Sequence, residues 1–495
     1  MKRRTFCRSA LASAAAASMP INRVFAQAAE IVDAVPVLTR GGGETVVEKA
    51  AMKELSDSMR GQVLLPGNVG YEDARKIWNG MFDRRPALIA RCLLPSDVRD
   101  AVAFARSNDL LVAVRSGGHS ISGKSVCDGG MMIDLAPMRG VRVDPIDQTA
   151  RAQAGAHLGH LDHEAQAFGL TTTTGTVSHT GCAGLTLGGG LGRLGRVHGL
   201  TCDNLLSADI VTADGQFLTC SADQNADLFW GLRGGGGNFG IVTSFEYQLQ
   251  KVGPEVLGGS LLYPLSQAKD VLDFYGEFSI GAPRELNVAA VIVQPPGGKG
   301  MIILGVTWLG SDEEGARVLR PLQEFGKPMV DGIGKHKYLE LQTDNDRTLP
   351  HGRNYYMKAG FLRSVESGVV DALVDGVEPS DSRSFVTIMS QLGGAIADVG
   401  ASDTAFSHRD AAYDMLIGAD WSDDEQSEQH VQDMRNFWKT LAPFTHGFYI
   451  NNAMDENVDG VRETFRGNYD RLVALKNQYD PTNLFHLNTN IEPTV

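Results

Sequence analysis

Apolar and polar positions follow two rhythms along this chain. The first is a set of short apolar or alternating runs cut by glycines: Pro86 to Pro95, LVAVRS from Leu111, MMIDLA from Met131, VRVDPIDQTARAQAGA from Val141, and LLSADIVTADGQFLTC from Leu205. Such runs predict strands. Val211-Thr-Ala-Asp-Gly215 predicts a strand entering an Asp-Gly hairpin turn. The second rhythm has helical spacing. Ser96 to Arg106 predicts an amphipathic helix capped by Ser96 or Asp97. Residues 29–65 are mixed and partly helical, with Gly41 to Glu44 as a flexible joint.

After about Tyr247 the glycines thin out and strands alternate with longer helices. Val291 to Pro295 and Gly300 to Trp308 predict a hairpin around PPGGKG, and Val386 to Gln391 and Tyr413 to Leu416 are further strands. Asp424 to Leu441 is an acidic amphipathic helix, and Tyr469 to Tyr479 is a helix ended by Asp480-Pro481. Strands and helices so arranged give an α+β class. No internal repeat is present.

Length and composition narrow the class. The 495 residues are enough for two or three domains, and 43% hydrophobic with 21% charged is ordinary for a soluble globular protein. A net charge of −14 argues against nucleic acid or an anionic membrane as partner. Lys2, Arg3 and Arg4 precede an Ala-rich segment, and Ala26-Gln27-Ala28 has the pattern of a cleavage site. KRRTFCR resembles a twin-arginine export signal, so residues 1–28 are expected to be removed and the mature protein to be periplasmic or secreted. Cleavage there removes Lys2, Arg3, Arg4, Arg8 and Arg23 and takes the net charge from −14 to −19. No other stretch is long and apolar enough to insert in a membrane. Cys92, Cys127, Cys182, Cys202 and Cys220 have no CxxC spacing, which argues against a metal site and leaves at most an incidental disulfide.

The chemistry is carried by glycine-rich loops. In RSGGHS, Arg115 to Ser120, two adjacent glycines remove the Cβ atoms that would hold a large planar ligand away from the backbone. Arg115 and the free amides suit a diphosphate or an anionic ring. A second run, TTTTGTVSHTGCAGLTLGGGLGRLGRVHGLTCDN, spans residues 171–204. Its Gly190-x-Gly192-x-x-Gly195 matches a dinucleotide fingerprint, but Arg196-Val-His-Gly199 breaks the required helix early.

RSGGHS followed by GTVSHTG and LTLGGGLG resembles the berberine-bridge-enzyme-like FAD-linked oxidases of the vanillyl-alcohol-oxidase superfamily. The resemblance runs from GYEDARKIWNG (Gly70 to Gly80) to YDPTNLFHLNTNIEP (Tyr479 to Pro493). It implies a bacterial, exported member with a two-part PCMH-type FAD-binding domain over residues 83–252, after an N-terminal segment at 29–82. A substrate domain at 253–455 would cover the flavin with a sheet, and residues 456–495 would return to the FAD domain. FAD would be bound covalently through His119, in a single attachment. The position of the second, cysteinyl link in some members is Val177 here, and Cys182 falls on an apolar position.

The resemblance further implies cofactor contacts from Arg115, Ser116, Gly117, Gly118 and Ser120, then from Gly175, Thr176, His179, Thr180, Gly181 and Gly184. Gly188, Gly189, Gly190, Gly192, Asp203 and Asn204 follow, then Gly240, Ile241 and Val242 after Gly237-Asn238-Phe239, and finally Asn488 and Asn490, whose amides would bond ring carbonyls. The expected reaction is hydride transfer from a C–OH carbon of a sugar, hemiacetal, or benzylic or secondary alcohol, with reoxidation by O2 to H2O2. Alternatives are a dehydrogenase with another electron acceptor, an amine oxidase, and a non-catalytic binding flavoprotein. Leu185 stands where the family usually has His, and the small Thr180 stands at the oxygen-access position. Asn452 replaces the family's Tyr in Tyr449-Ile-Asn451-Asn452, and Leu416 replaces its Glu or Gln. Asp414 shares a strand face with Leu416 and is the candidate base, with Asn452 orienting the substrate. His408, Tyr449 and Tyr356 are the other catalytic candidates by residue type.

Overall fold

The computed structural model describes residues 34–422, 424–452, 454–455 and 458–495, so the leader read at residues 1–28 lies outside the described residues. The first element is a hairpin, Ala34–Leu38 against Glu44–Glu48. Gly42, at φ +82°, donates its amide to the Thr39 carbonyl at 3.0 Å. The glycines expected to form a flexible joint therefore make the turn of a hairpin.

Two sheets follow. The first has the order Gln62–Leu64, Leu88–Arg91, Met131–Asp134 and Val112–Arg115, with the last three strands parallel. The second runs Phe217–Ser221, Leu205–Thr212, Gly240–Gln248, Thr149–Gln153 and Val141–Asp144, and is antiparallel throughout. The predicted Asp214-Gly215 turn joins its first two strands, with Gly215 at φ +84°. Helix Pro95–Ser107 buries Val98, Ala101, Val102 and Ala105 in the core these sheets share. It starts one residue earlier than expected, and neither Ser96 nor Asp97 caps it. Leu94 is the cap position and Pro95 opens the first turn, where its missing N–H costs nothing. Asp97 is fully buried and accepts from the amides of Arg60, Gly61 and Leu93.

The third sheet has eight strands, in the order Val330–Asp331, Glu255–Pro264, Met301–Trp308, Leu286–Gln294, Arg383–Gln391, Tyr413–Trp421 and Asn354–Leu362, with Gly334–Lys337 also on Glu255–Pro264. One face packs against helices Ala268–Ile280, Asp312–Glu324, Ser367–Asp375 and Ser427–Leu441. The opposite face meets the first part of the chain, where Tyr355, Met357, Ala359 and Leu416 cluster with Trp78 and Ile121. The C-terminal helix Tyr469–Tyr479 returns to the first core through Leu472 and Leu475. The five cysteines from Cys92 to Cys220 are all buried and unpaired, so no disulfide forms among them.

Candidate functional site

RSGGHS leaves the end of strand Val112–Arg115. Arg115 is held by the fully buried Asp134 at 2.9 Å, with Arg91 on the other carboxylate oxygen at 3.1 Å. Gly118 has φ +68°, and a Cβ there would lie 3.0 Å from the Arg115 guanidinium. Gly117 and Gly181 cross backbone to backbone: a Cβ on Gly117 would sit 2.4 Å from the Cα of Gly181. Two distant loops are thus locked together by the absence of two methyl groups. Ser116 donates to the Ala154 carbonyl, and the Ser120 hydroxyl accepts from the Lys124 amide at 3.1 Å.

His119 projects from this crossing. Its ring stacks on Trp78 at 4.4 Å between centroids, and Trp78 stacks in turn on Tyr355 at 3.9 Å. His179 lies 5.1 Å away and His351 lies 4.8 Å from His179. Burial, followed by the neighbouring imidazoles of His179 and His351, pushes His119 down to about 3, so its ring is neutral at physiological pH. The segment carrying His351 comes from the large sheet's domain and is fastened here by Asp346, which accepts from the Ser178 amide at 2.8 Å and its hydroxyl at 2.6 Å.

The C-terminal tail closes another side. Lys476 and Asp480 are fully buried and paired at 2.7 Å, and Lys476 also donates to the carbonyls of Asn238 and Phe485. Asn488 donates to Gly237 O at 3.0 Å and Phe485 O at 2.9 Å, while Lys124 donates to Asn488 O. The Asn488 amide nitrogen is therefore committed to protein. What remains is its oxygen, which like that of Asn490 is buried without a partner. The expectation of amide donors to ring carbonyls is replaced for Asn488 by an acceptor suited to a ring N–H.

Buried polar atoms are rarely left without partners. At this crossing stand, without partners, Arg115 Nε, His119 Nε2 and both nitrogens of His179, and on the C-terminal tail the oxygens of Asn488 and Asn490. Thr176 and Thr180 line the same loop, though their carbonyls already accept from Asn345 and Leu158. At Gly184 an added Cβ would meet nothing within 4 Å, which leaves open space at that edge. Donors and acceptors at a glycine-walled cradle fit a large planar group with polar edges, as FAD is.

Several residues expected at the cofactor also make contacts within the protein. A Cβ on Gly175 would meet Leu185 and Leu158. On Gly188, Gly189, Gly190 and Gly192 it would meet Asn451, Phe406, Thr201 and the Thr174 carbonyl, respectively. These glycines permit chain-on-chain packing. Asp203 forms a buried two-pronged pair with Arg409, both contacts at 2.7 Å, and so ties the two halves of the molecule together. Asn204 donates to the carbonyls of His198 and Leu200. Gly240 passes close to the Val211 carbonyl, and Ile241 and Val242 are core residues of the strand it opens. Gly195–His198 is a helix of four residues ended by Gly199 at φ +76°, too short for a dinucleotide site of the nicotinamide type.

On the large sheet the catalytic candidates separate. Asp414 is 6% exposed on the face toward the cradle, and burial pushes its carboxyl up to about 7. Asn452 donates to its Oδ2 at 3.4 Å, and its Oδ1 has no partner. Tyr449 is a clasp, its hydroxyl accepting from Gly190 N at 2.9 Å, Leu191 N at 3.3 Å and Asn451 Nδ2 at 2.7 Å. His408 is buried behind Phe361, with its ring 4.5 Å away, and burial lowers it to about 3, which leaves a weak base. Tyr356 points to the helix side of the sheet, where it donates to Asp455 at 2.7 Å and accepts from Arg435. It has no access to the cradle.

Trp78, Tyr355, His351 and Arg409 are the site residues that sequence reasoning left without a role. Trp78 sits inside GYEDARKIWNG and Arg409 inside Ser407-His-Arg, so position within a motif was the available signal for both.

Val177 and Cys182 both lie near this loop, but Cys182 is 1% exposed in the core and burial raises its thiol far above the ordinary value. Cys182→Ser is expected to leave the fraction of acid-resistant flavin unchanged, as read by in-gel flavin fluorescence.

Residues 86–221 match the family described as FAD binding domain, and residues 448–492 the one described as Berberine and berberine like. An FAD-linked oxidoreductase of Dictyostelium discoideum is 31% identical over 89% of this chain and 97% of its own. The (R)-6-hydroxynicotine oxidase of Paenarthrobacter nicotinovorans is 32% identical over 88% of this chain and 97% of its own. Among solved structures, a chitooligosaccharide oxidase superposes with a TM-score of 0.81 at 25% identity, covering 90% of this chain and 100% of that one.

Proposed function

The chain belongs to the berberine-bridge-like FAD-linked oxidoreductases, and on that premise we propose that it oxidises a carbon bearing OH or NH, with FAD attached through His119 alone and Asp414 as proton acceptor. The observation that carries this reading is the solitary carboxyl of Asp414, buried on the cradle side with one oxygen uncommitted. Bound FAD supplies a hydride acceptor that O2 restores, giving H2O2.

The residues divide the remaining work. Asp414 Oδ1 takes the proton from the substrate O–H or N–H as the C–H bond breaks, and Asn452 steadies the other oxygen. A carboxyl near 7 is partly ionised at neutral pH and basic enough to accept a proton in the transition state. His119, neutral and stacked on Trp78, offers an imidazole nitrogen for the bond that holds the cofactor. His179, Asn488 and Asn490 would meet its polar edges.

The substrate is drawn from C–OH compounds, with an amine as the alternative, because Asp414 serves either. The small Thr180 favours O2 as acceptor. Leu185, which replaces the family's histidine, favours the second reading, a dehydrogenase with a different electron acceptor. Export through the leader is proposed from Lys2 to Arg4 and Ala26 to Ala28 alone.

The test is the pH profile of flavin reduction measured without oxygen. Asp414 acts when deprotonated, so the rate rises as pH increases through about 7 and then levels off. A rate that is flat from acid to alkaline pH would overturn Asp414 as the base. The same burial makes the carboxylate a liability to the fold: between the ordinary carboxyl range and about 7, stability contributed by the bound proton is lost as pH rises.

A further inference from the structure

The cradle-facing side of the large sheet carries an aliphatic stripe among polar positions such as Asn287, Ser384 and Ser390, where a solvated sheet face would be polar throughout. In an antiparallel sheet covered on one face, the outer positions normally carry polar side chains. Strands Leu286–Gln294 and Arg383–Gln391 do alternate in burial, buried then half-buried, residue by residue. They do not alternate in polarity to match. The half-buried positions include Val291 and Val293 on one strand and Val386 and Ile388 on the other. Ile303 continues the series on Met301–Trp308.

The register sets these side chains in rows. Leu416 lies opposite Ile388, Ile388 opposite Val291, and Val291 opposite Ile303. At about 4.8 Å between neighbouring strands, the row runs roughly 14 Å across the sheet. A second row places Val386 opposite Val293. At its inner end the stripe is continuous with the site, because Ile388 packs against the cluster of Trp78, Ile121, Met357 and Leu416. Beside that end stands Asp414, opposite Ser390, with Asn452 on its carboxylate. The other carboxylate on this face, Asp420, is at the far end of its strand and is neutralised by Arg353.

We infer that the stripe from Leu416 to Ile303 binds the apolar body of the substrate, an alkyl or aryl chain bearing one C–OH or C–NH group, and that oligosaccharides are not the substrate class. A sugar chain would bring several hydroxyls per ring onto the row of Leu416, Ile388, Val291 and Ile303, which carries no side-chain donor or acceptor, each unpaired hydroxyl at a desolvation cost. The polar side chains of this face, among them Asn287, Ser384, Ser390 and Asp414, lie off that row. An alkyl chain would replace water on the same surface at a gain. The inference rests on the reading of Asp414 as the group beside the reacting carbon.

The experiment titrates the flavin-loaded protein anaerobically with 1-alkanols from butanol to decanol, and separately with cellobiose. Perturbation of the flavin absorption band reads binding, and bleaching reads reaction. The expected result is a Kd that falls about fourfold for each added methylene until the stripe is filled, with cellobiose leaving the band unmoved. Ile388→Asn and Val291→Asn, each checked for retained flavin absorbance, should flatten that gradient. A Kd independent of chain length, or cellobiose binding more tightly than decanol, overturns the inference. The two readings fail separately. A chain-length gradient with no bleaching supports the stripe and counts against Asp414 as the base, whereas bleaching by cellobiose with a flat alkanol series does the reverse.

Discussion

Protein carrying His119→Ala is expected to lose all of its flavin to the supernatant on acid precipitation, whereas the unaltered protein keeps its flavin in the pellet. The bond needs a neutral imidazole nitrogen, and His119 follows Gly117 and Gly118 directly in the chain at the crossing, with its ring stacked on Trp78. Burial holds it neutral. Neither His179 nor His351 is expected to substitute, because each is carried by a different segment. His351 is further fixed through the Asp346 contacts to Ser178. Flavin that stays in the pellet of this variant would remove His119 as the attachment point.

Asp414→Asn is expected to slow anaerobic flavin reduction by roughly a hundredfold to ten-thousandfold, the usual range for removing a general base. Flavin content should stay unchanged and substrate binding should shift only a few-fold, since Asn keeps the shape and the contact with Asn452. The fold should tolerate the change, because a buried carboxyl without a cationic partner is replaced by a neutral amide. Reduction at a near-normal rate would transfer the role of base elsewhere.

What could be read from the sequence, and what could not, divides along a physical line. Local signals were legible. The Asp214-Gly215 hairpin, the helix Tyr469–Tyr479 ended by Asp480-Pro481, and four of the eight strands of the large sheet, Leu286–Gln294, Met301–Trp308, Arg383–Gln391 and Tyr413–Trp421, follow from periodicity and turn chemistry. Long-range partners were not. Asp203 looked like a cofactor contact in its motif, and only the fold brings Arg409 onto it. Gly188, Gly189, Gly190 and Gly192 show a related limit: a glycine that admits a cofactor and one that admits another chain look identical in sequence, and here the Cβ side of each faces protein. Tyr356 failed by register. Its neighbour Tyr355 faces Trp78, and a side-chain period of two sends Tyr356 to the other face. The face on which Asp414 lies was legible because Leu416, two residues on, supplied the reference for it.

The most direct measurement of the central claim is the visible spectrum of the flavin-loaded protein, followed anaerobically on addition of alcohols and amines with apolar bodies and then on readmission of air. Bleaching that recovers in air is the expected result. It would establish substrate oxidation and reoxidation by O2 in one experiment. Flavin that stays oxidised while these compounds bind would contradict the oxidation itself, and flavin that bleaches but does not recover would contradict O2 as its acceptor.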